Sequence, residues 1–150
     1  MRKRFARLFR NAEGIGAVEF GLLAPVFFAF IIGITQVGIL FQAQAGLRHA
    51  VQEGARYATL YVPNSAGTVQ RPTNTQIIAK INASKYGLNG GTVTGPTITS
   101  GTSSGTTSSG TAYTTTYLDI TMSYQVPLNF IFYTTSPITL TETRRVWVQR

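Results

Sequence analysis

Between Glu19 and Arg48 the chain runs for twenty-eight residues without a formal charge. Its densest part, FGLLAPVFFAFIIGITQVGILF from Phe20 to Phe41, has only Thr35 and Gln36 as polar residues. Twenty-two helical residues rise about 33 Å, enough to cross a hydrocarbon core of roughly 30 Å. Phe27, Phe28, Phe30, Ile31 and Ile32 carry the bulk of this predicted membrane helix, and Pro25 near its start is tolerated in such helices. A buried core helix could be as apolar, but it would need a large domain around it, and the rest of the chain is short and polar. A secretory signal with a cut after Ala43-Gln44-Ala45 is the second alternative. Its apolar stretch should be only about 7–15 residues long. A retained single-pass helix is the reading adopted.

The charge distribution agrees with that reading. The net charge of +8 invites a nucleic-acid role, since phosphate neutralisation needs Lys and Arg. Yet Arg2, Lys3, Arg4, Arg7 and Arg10, five of the thirteen basic residues, all precede the apolar run. Basic residues on one flank of a span keep that flank in the cytoplasm, so the C-terminal part faces outward, and no nucleic-acid partner is expected. The chain has no cysteine, which excludes disulfides, thiolate nucleophiles, Cys-based zinc sites and a lipidated cysteine anchor.

Immediately before the span stands Glu13-Gly14-Ile15-Gly16-Ala17-Val18-Glu19-Phe20. A small residue at the membrane edge is followed, five positions later, by a lone carboxylate and then by the apolar run. This resembles the processing site of type IV pilin-like precursors, which a prepilin peptidase cuts after a glycine, leaving a glutamate fifth in the mature chain. The corresponding cut lies between Gly14 and Ile15 and makes Glu19 the fifth residue, followed by Phe20. The wider GAVEFGLLAPVF, with QEGARYA from Gln52 to Ala58, resembles the TadE-like family of tight-adherence (Flp) pilus assembly proteins. The resemblance covers about the first sixty residues.

It implies a minor pilin or pseudopilin in the bacterial cytoplasmic (inner) membrane, with its N-terminus in the cytoplasm. Implied partners are the prepilin peptidase, other pilin or pseudopilin subunits, the inner-membrane assembly platform and membrane lipid. Independently of any family, an ionised Glu19 near the bilayer is costly unless it reaches water or meets a cation. A new α-amino group on Ile15 would supply one. The bland reading is that Glu19 snorkels to cytoplasmic water. For Gly14 and Gly16 it is that they keep the leader–helix junction flexible.

Beyond Phe41 the helical pattern continues. Leu47, Ala50, Val51, Gly54, Ala55 and Ala58 form a stripe of mostly small residues suited to a partner helix or to the chain's own sheet, and Pro63-Asn64 end it. Thr73 or Asn74 caps a short helix with Ile77, Ile78 and Ile81 on one face, broken by Gly87, Gly90 and Gly91. The low-complexity segment Thr99 to Thr111 reads as a flexible loop. Leu118 to Val126 alternates as a strand, and so does Ile138 to Val148, although Glu142 and Arg144 occupy its apolar positions. Between them, Phe130 to Tyr133 concentrates large apolar residues.

The predicted fold class is therefore α+β: a long N-terminal transmembrane helix continuing outside the membrane, then a small antiparallel β-sheet domain, as in pilin-like subunits. The expected divisions are a basic leader (1–14), the helix and its extension (15–62), and an outer domain (63–150) with its flexible loop (99–111). No enzyme is expected. His49 is the only histidine, and Glu53, Asp119 and Glu142 are the only acids after the span, too few for a catalytic or metal-binding set. No cofactor is expected either. A membrane-tethered binding module unrelated to pili is the rival reading from another class.

Overall fold

The computed structural model describes residues 12–130 and 135–148. The basic residues Arg2 to Arg10, the connector residues Ile131, Phe132 and Tyr133, and the side chains of residues 12–15 lie outside that description. The elements follow in the order α1 (Ala12–Ala58), β1 (Val62–Pro63), β2 (Val69–Gln70), α2 (Asn74–Ala83), β3 (Thr92–Thr106), β4 (Ala112–Val126) and β5 (Ile138–Val148). This is the α+β class expected. The chain divides into two units, Met1–Gly38 and Ile39–Arg150.

The described part of the first unit is helix α1 alone. Its large apolar side chains point outward all round, with Phe20 70% and Phe28 57% exposed. Within α1 the most apolar stretch has none of its residues buried inside the protein, which removes the core-helix alternative. Such a surface is unstable in water and matches lipid. Of its two polar residues, Thr35 satisfies its hydroxyl by donating to the Ile31 carbonyl one turn back at 2.9 Å. Pro25 lies inside the helix, as the sequence allowed.

In the second unit the rest of α1 becomes one-sided. Ala43, Gly46, Leu47, Ala50, Val51, Gly54 and Ala58 are buried along one stripe, extending the predicted one by a turn toward the N-terminus. This stripe joins Ile77 and Ile81 of α2, Ile120, Met122, Tyr124 and Val126 of β4, and Val146 and Val148 of β5 in a single core. The open choice between a partner helix and the chain's own domain is thereby resolved for this face: it belongs to the domain. Small residues set the spacing. A methyl group at Gly54 would overlap the Ile81 side chain, and one at Gly46 would overlap the Tyr86 carbonyl.

Helix α1 ends at Ala58, before the predicted Pro63-Asn64 stop. The Thr59 amide (3.2 Å) and hydroxyl (2.7 Å) both donate to the Arg56 carbonyl and close the last turn. Asn64 instead organises the small β1–β2 hairpin, its side-chain oxygen accepting from the Ala66 and Thr68 amides at 2.9 Å each. Helix α2 starts with a capping box: the Gln76 amide donates to the Thr73 hydroxyl (3.3 Å) and the Thr73 amide to the Gln76 side chain (2.9 Å). It ends at Ala83 on the Ser84 cap, earlier than the glycines suggested. Ile77 and Ile81 are buried and Ile78 is half-buried.

The sheet is antiparallel in the order β3-β4-β5. β5 has the predicted bounds, and β4 begins six residues before the predicted Leu118. The larger correction concerns the low-complexity segment. Thr99 to Thr106 are strand β3, and only residues 107–111 form the connecting turn, with Gly110 at φ 85°. The reason lies in the facing strand. Gly101 pairs with Tyr117 and Gly105 with Tyr113, and each tyrosine ring occupies the space a glycine side chain would fill. Aromatic cover of this kind lets glycine sit in an edge strand. Glu142 and Arg144, the two anomalies of β5, form ion pairs: Glu142 lies 3.5 Å from Arg48 of α1 and 3.6 Å from Arg144.

Candidate functional site

The sequence places its functional residues at the N-terminal end of α1. Among the described residues the helix runs from Ala12, so the Gly14–Ile15 peptide is helical. The flexible junction expected at Gly14 and Gly16 is helical here. From Ile15 to Glu19 is a spacing of i, i+4, which puts both on one face about 6 Å apart along the axis. Glu19 and Phe20 are exposed side by side. Among the described residues Glu19 forms no ion pair.

Further along, Phe27 and Phe28 meet edge to face, their ring centroids 6.0 Å apart. Pro25 and Phe30 border a shallow apolar groove with Ala29, Gly33 and Val37, while Phe27, Phe28, Ile31 and Ile32 lie outside that groove. Ala29 and Gly33 were not singled out in the sequence. The usable signal was small residues four apart inside an apolar helix, the spacing that permits close helix approach.

Outside the span, charge is handled by local pairing. Glu53 pairs with Arg56, three residues on, at 3.9 Å. The His49 ring packs 5.4 Å from that of Tyr86. Among the described residues no three His, Cys, Asp or Glu side chains cluster as metal ligands.

On the sheet face away from the core, Arg145 donates to both oxygens of Asp119, at 2.8 and 2.7 Å. These hydrogen bonds hold the Asp119 carboxyl below its ordinary range; slight burial opposes them and the guanidinium charge adds to them. The same hydrogen bonds raise Arg145. The Arg145 guanidinium lies 3.8 Å over the Tyr117 ring, and Tyr117 meets Trp147 edge to face at 5.5 Å. No part of this ladder was read from the sequence, because its members become neighbours only through the β4–β5 register.

A lipid-compatible helix at the N-terminal side and a small α+β domain built on its continuation define a single-pass, membrane-anchored protein. The family model of the TadE-like protein matches residues 14–56, from the predicted scissile glycine to the last turn of α1. Over that stretch the chain is similar to the TadE-like family, a likeness that links it to tight-adherence pilus proteins. No curated protein and no solved structure matches the chain.

Proposed function

We propose that this chain is a minor pilin or pseudopilin of a tight-adherence (Flp, type IVb-like) pilus, a structural subunit and a substrate of a prepilin peptidase. It is anchored in the bacterial inner membrane with its N-terminus in the cytoplasm, cut between Gly14 and Ile15, and assembled through α1. The observation that carries this reading is the family match beginning at Gly14, with Glu19 as the fifth residue after the cut, exposed on the helix.

The local physics supports it. A peptidase needs the Gly14–Ile15 bond extended, and glycine eases the local unwinding of a helix. Gly14 and Gly16 each lower helix propensity by about 1 kcal/mol relative to alanine. Cleavage then creates an α-ammonium one turn from Glu19. That cation, from the same chain or a neighbour, neutralises the carboxylate at the membrane edge and turns it into a docking element between subunits. The groove bordered by Pro25, Ala29 and Gly33 suits the close approach of another subunit's helix, with the assembly platform as the machine that stacks them. A cut after Ala45 fits poorly. It would put a charged terminus on Gly46, which is buried beneath the Tyr86 carbonyl.

N-terminal sequencing of the protein purified from cells with an active peptidase tests the reading. Ile15 as the first residue supports it. Met1 leaves only a tethered domain, and Gly46 a secreted one.

A further inference from the structure

The outer face of the sheet carries an aromatic cleft that neither membrane anchoring nor helix stacking uses. Tyr113 is 48% and Trp147 52% exposed. They flank a depression of about 250 Å³ whose lining, among the described residues, includes the hydroxyl side chains Ser103 and Thr115 and no charged group. The Thr115 hydroxyl donates to the Ser103 carbonyl at 3.3 Å, which leaves its lone pairs open to accept.

Trp147 is held from behind. Asp119 fixes Arg145 by two hydrogen bonds, Arg145 covers one face of Tyr117, and the indole meets Tyr117 edge to face at 5.5 Å. On the other side of the cleft, the Tyr113 ring is seated over Gly105. Both rings thus sit on paired strands in set positions, and an aromatic side chain placed this way binds with little loss of freedom.

The chemistry selects the ligand. Among the described residues an anion would find no free cation, since the Arg145 guanidinium is committed to Asp119 and Tyr117. A wholly apolar ligand would bury hydroxyls without partners. A pyranose ring satisfies both constraints. Its C–H face carries the partial positive charge that the negative face of an aromatic ring attracts, and its rim of hydroxyls matches Ser103 and Thr115. The volume is below the roughly 300–1,000 Å³ of pockets for drug-sized ligands and leaves room for one sugar ring of a chain. We infer that Trp147 and Tyr113 form a binding site for one neutral hexopyranose unit of an extracellular or envelope glycan. This inference goes beyond the pilus reading and does not rest on it.

The chain has one tryptophan, so its fluorescence reports on this cleft alone. The experiment titrates the full-length protein, in phosphatidylcholine vesicles free of sugar detergents, with maltotriose, cellotriose and chitotriose. At least one should change Trp147 emission saturably, with a Kd on the order of 1 mM, the weak range set by one stacked ring. Tyr113→Ala keeps the reporter and should weaken binding about tenfold. Thr115→Val, which preserves shape and strand propensity, should weaken it several-fold and guards against misfolding of the first variant. By equilibrium dialysis, Trp147→Ala should bind none of the three. No response to any sugar up to about 50 mM overturns the inference. So does an unaltered response in both Tyr113→Ala and Thr115→Val. Emission that shifts with protein concentration alone, and is indifferent to sugar, also overturns it and assigns the face to a second copy.

Discussion

Gly54→Ala should destabilise the second unit, although helix propensity alone says the opposite. In an exposed helix interior, replacing glycine by alanine gains about 1 kcal/mol. At Gly54 the added methyl would overlap Cγ1 of Ile81 and lie 2.6 Å from its Cδ1. Ile81 is fully buried, so its side chain cannot swing into solvent, and α1 and α2 must separate or Ile81 must leave its rotamer. Overpacking of this kind costs about 1–3 kcal/mol, and more where backbone is displaced. The net expectation is a loss of up to about 2 kcal/mol, at roughly 4–8 °C in melting temperature per kcal/mol for a domain of about this size.

The measurement is thermal unfolding of the full-length protein in vesicles, followed by near-ultraviolet circular dichroism, beside the exposed control Gln52→Ala. The mechanism also predicts a coupling. In an Ile81→Ala background the same methyl enters vacated space, and Gly54→Ala should become neutral or stabilising. The double-mutant cycle should therefore show an interaction of about 2 kcal/mol. A Gly54→Ala protein that melts higher than the parent in both backgrounds would refute the close α1–α2 approach as the reason for this glycine.

Three further outcomes follow from the geometry. Glu19→Gln should leave membrane insertion intact, because it removes a charge from the edge of the span, yet abolish piliation in cells; normal piliation would count against the docking role. Thr73→Ala removes one half of the α2 capping box and should cost about 1 kcal/mol, seen as faster hydrogen exchange across residues 74–83, with Thr73→Ser restoring protection. The Asp119 carboxyl is depressed in the folded state, so the stability it contributes is present above its unfolded pKa and is lost as pH falls through the folded value. The parent should therefore lose stability on acidification more steeply than Asp119→Asn, while raising the pH from 6 to 8 should not separate the two; equal acid profiles would show the Arg145 bond to be dispensable.

Elements that bury one face were legible in the sequence, because burial leaves a period. Ile138 to Val148 was read with its observed bounds, and the α1 stripe was found at the right residues. Its reach back to Ala43 and Gly46 was missed, since alanine and glycine carry little hydrophobic signal even where they are the only residues that fit. The failure at Thr99 to Thr106 has a different cause. Ser, Thr and Gly in an edge strand look like a linker when read alone. What makes them a strand is the pair of tyrosines on β4 that face the glycines across the hairpin register, Tyr117 opposite Gly101 and Tyr113 opposite Gly105. Tertiary context of that kind decides strand formation more than local propensity does. The site divides in the same way. Gly14, Glu19 and the apolar run are a linear signature and could be read, whereas the Asp119–Arg145–Tyr117–Trp147 ladder exists only across paired strands.

The burial along α1 explains how one helix serves two environments. Up to Phe41 its large side chains are exposed on every side, a surface that only lipid or other helices can cover. From Ala43 onward, apolar residues are confined to one stripe and the large ones give way to Ala, Gly, Leu and Val, so a sheet and a second helix pack closely there. Both segments belong to the helical stretch Ala12–Ala58, in which Pro25 is the one residue without an amide to donate. If the proposed subunit is moved by its helix, inserting two glycines between Phe41 and Gln42 should spare anchoring and folding while impairing assembly. If piliation survives that insertion, the helix is an anchor only and the domain acts on its own.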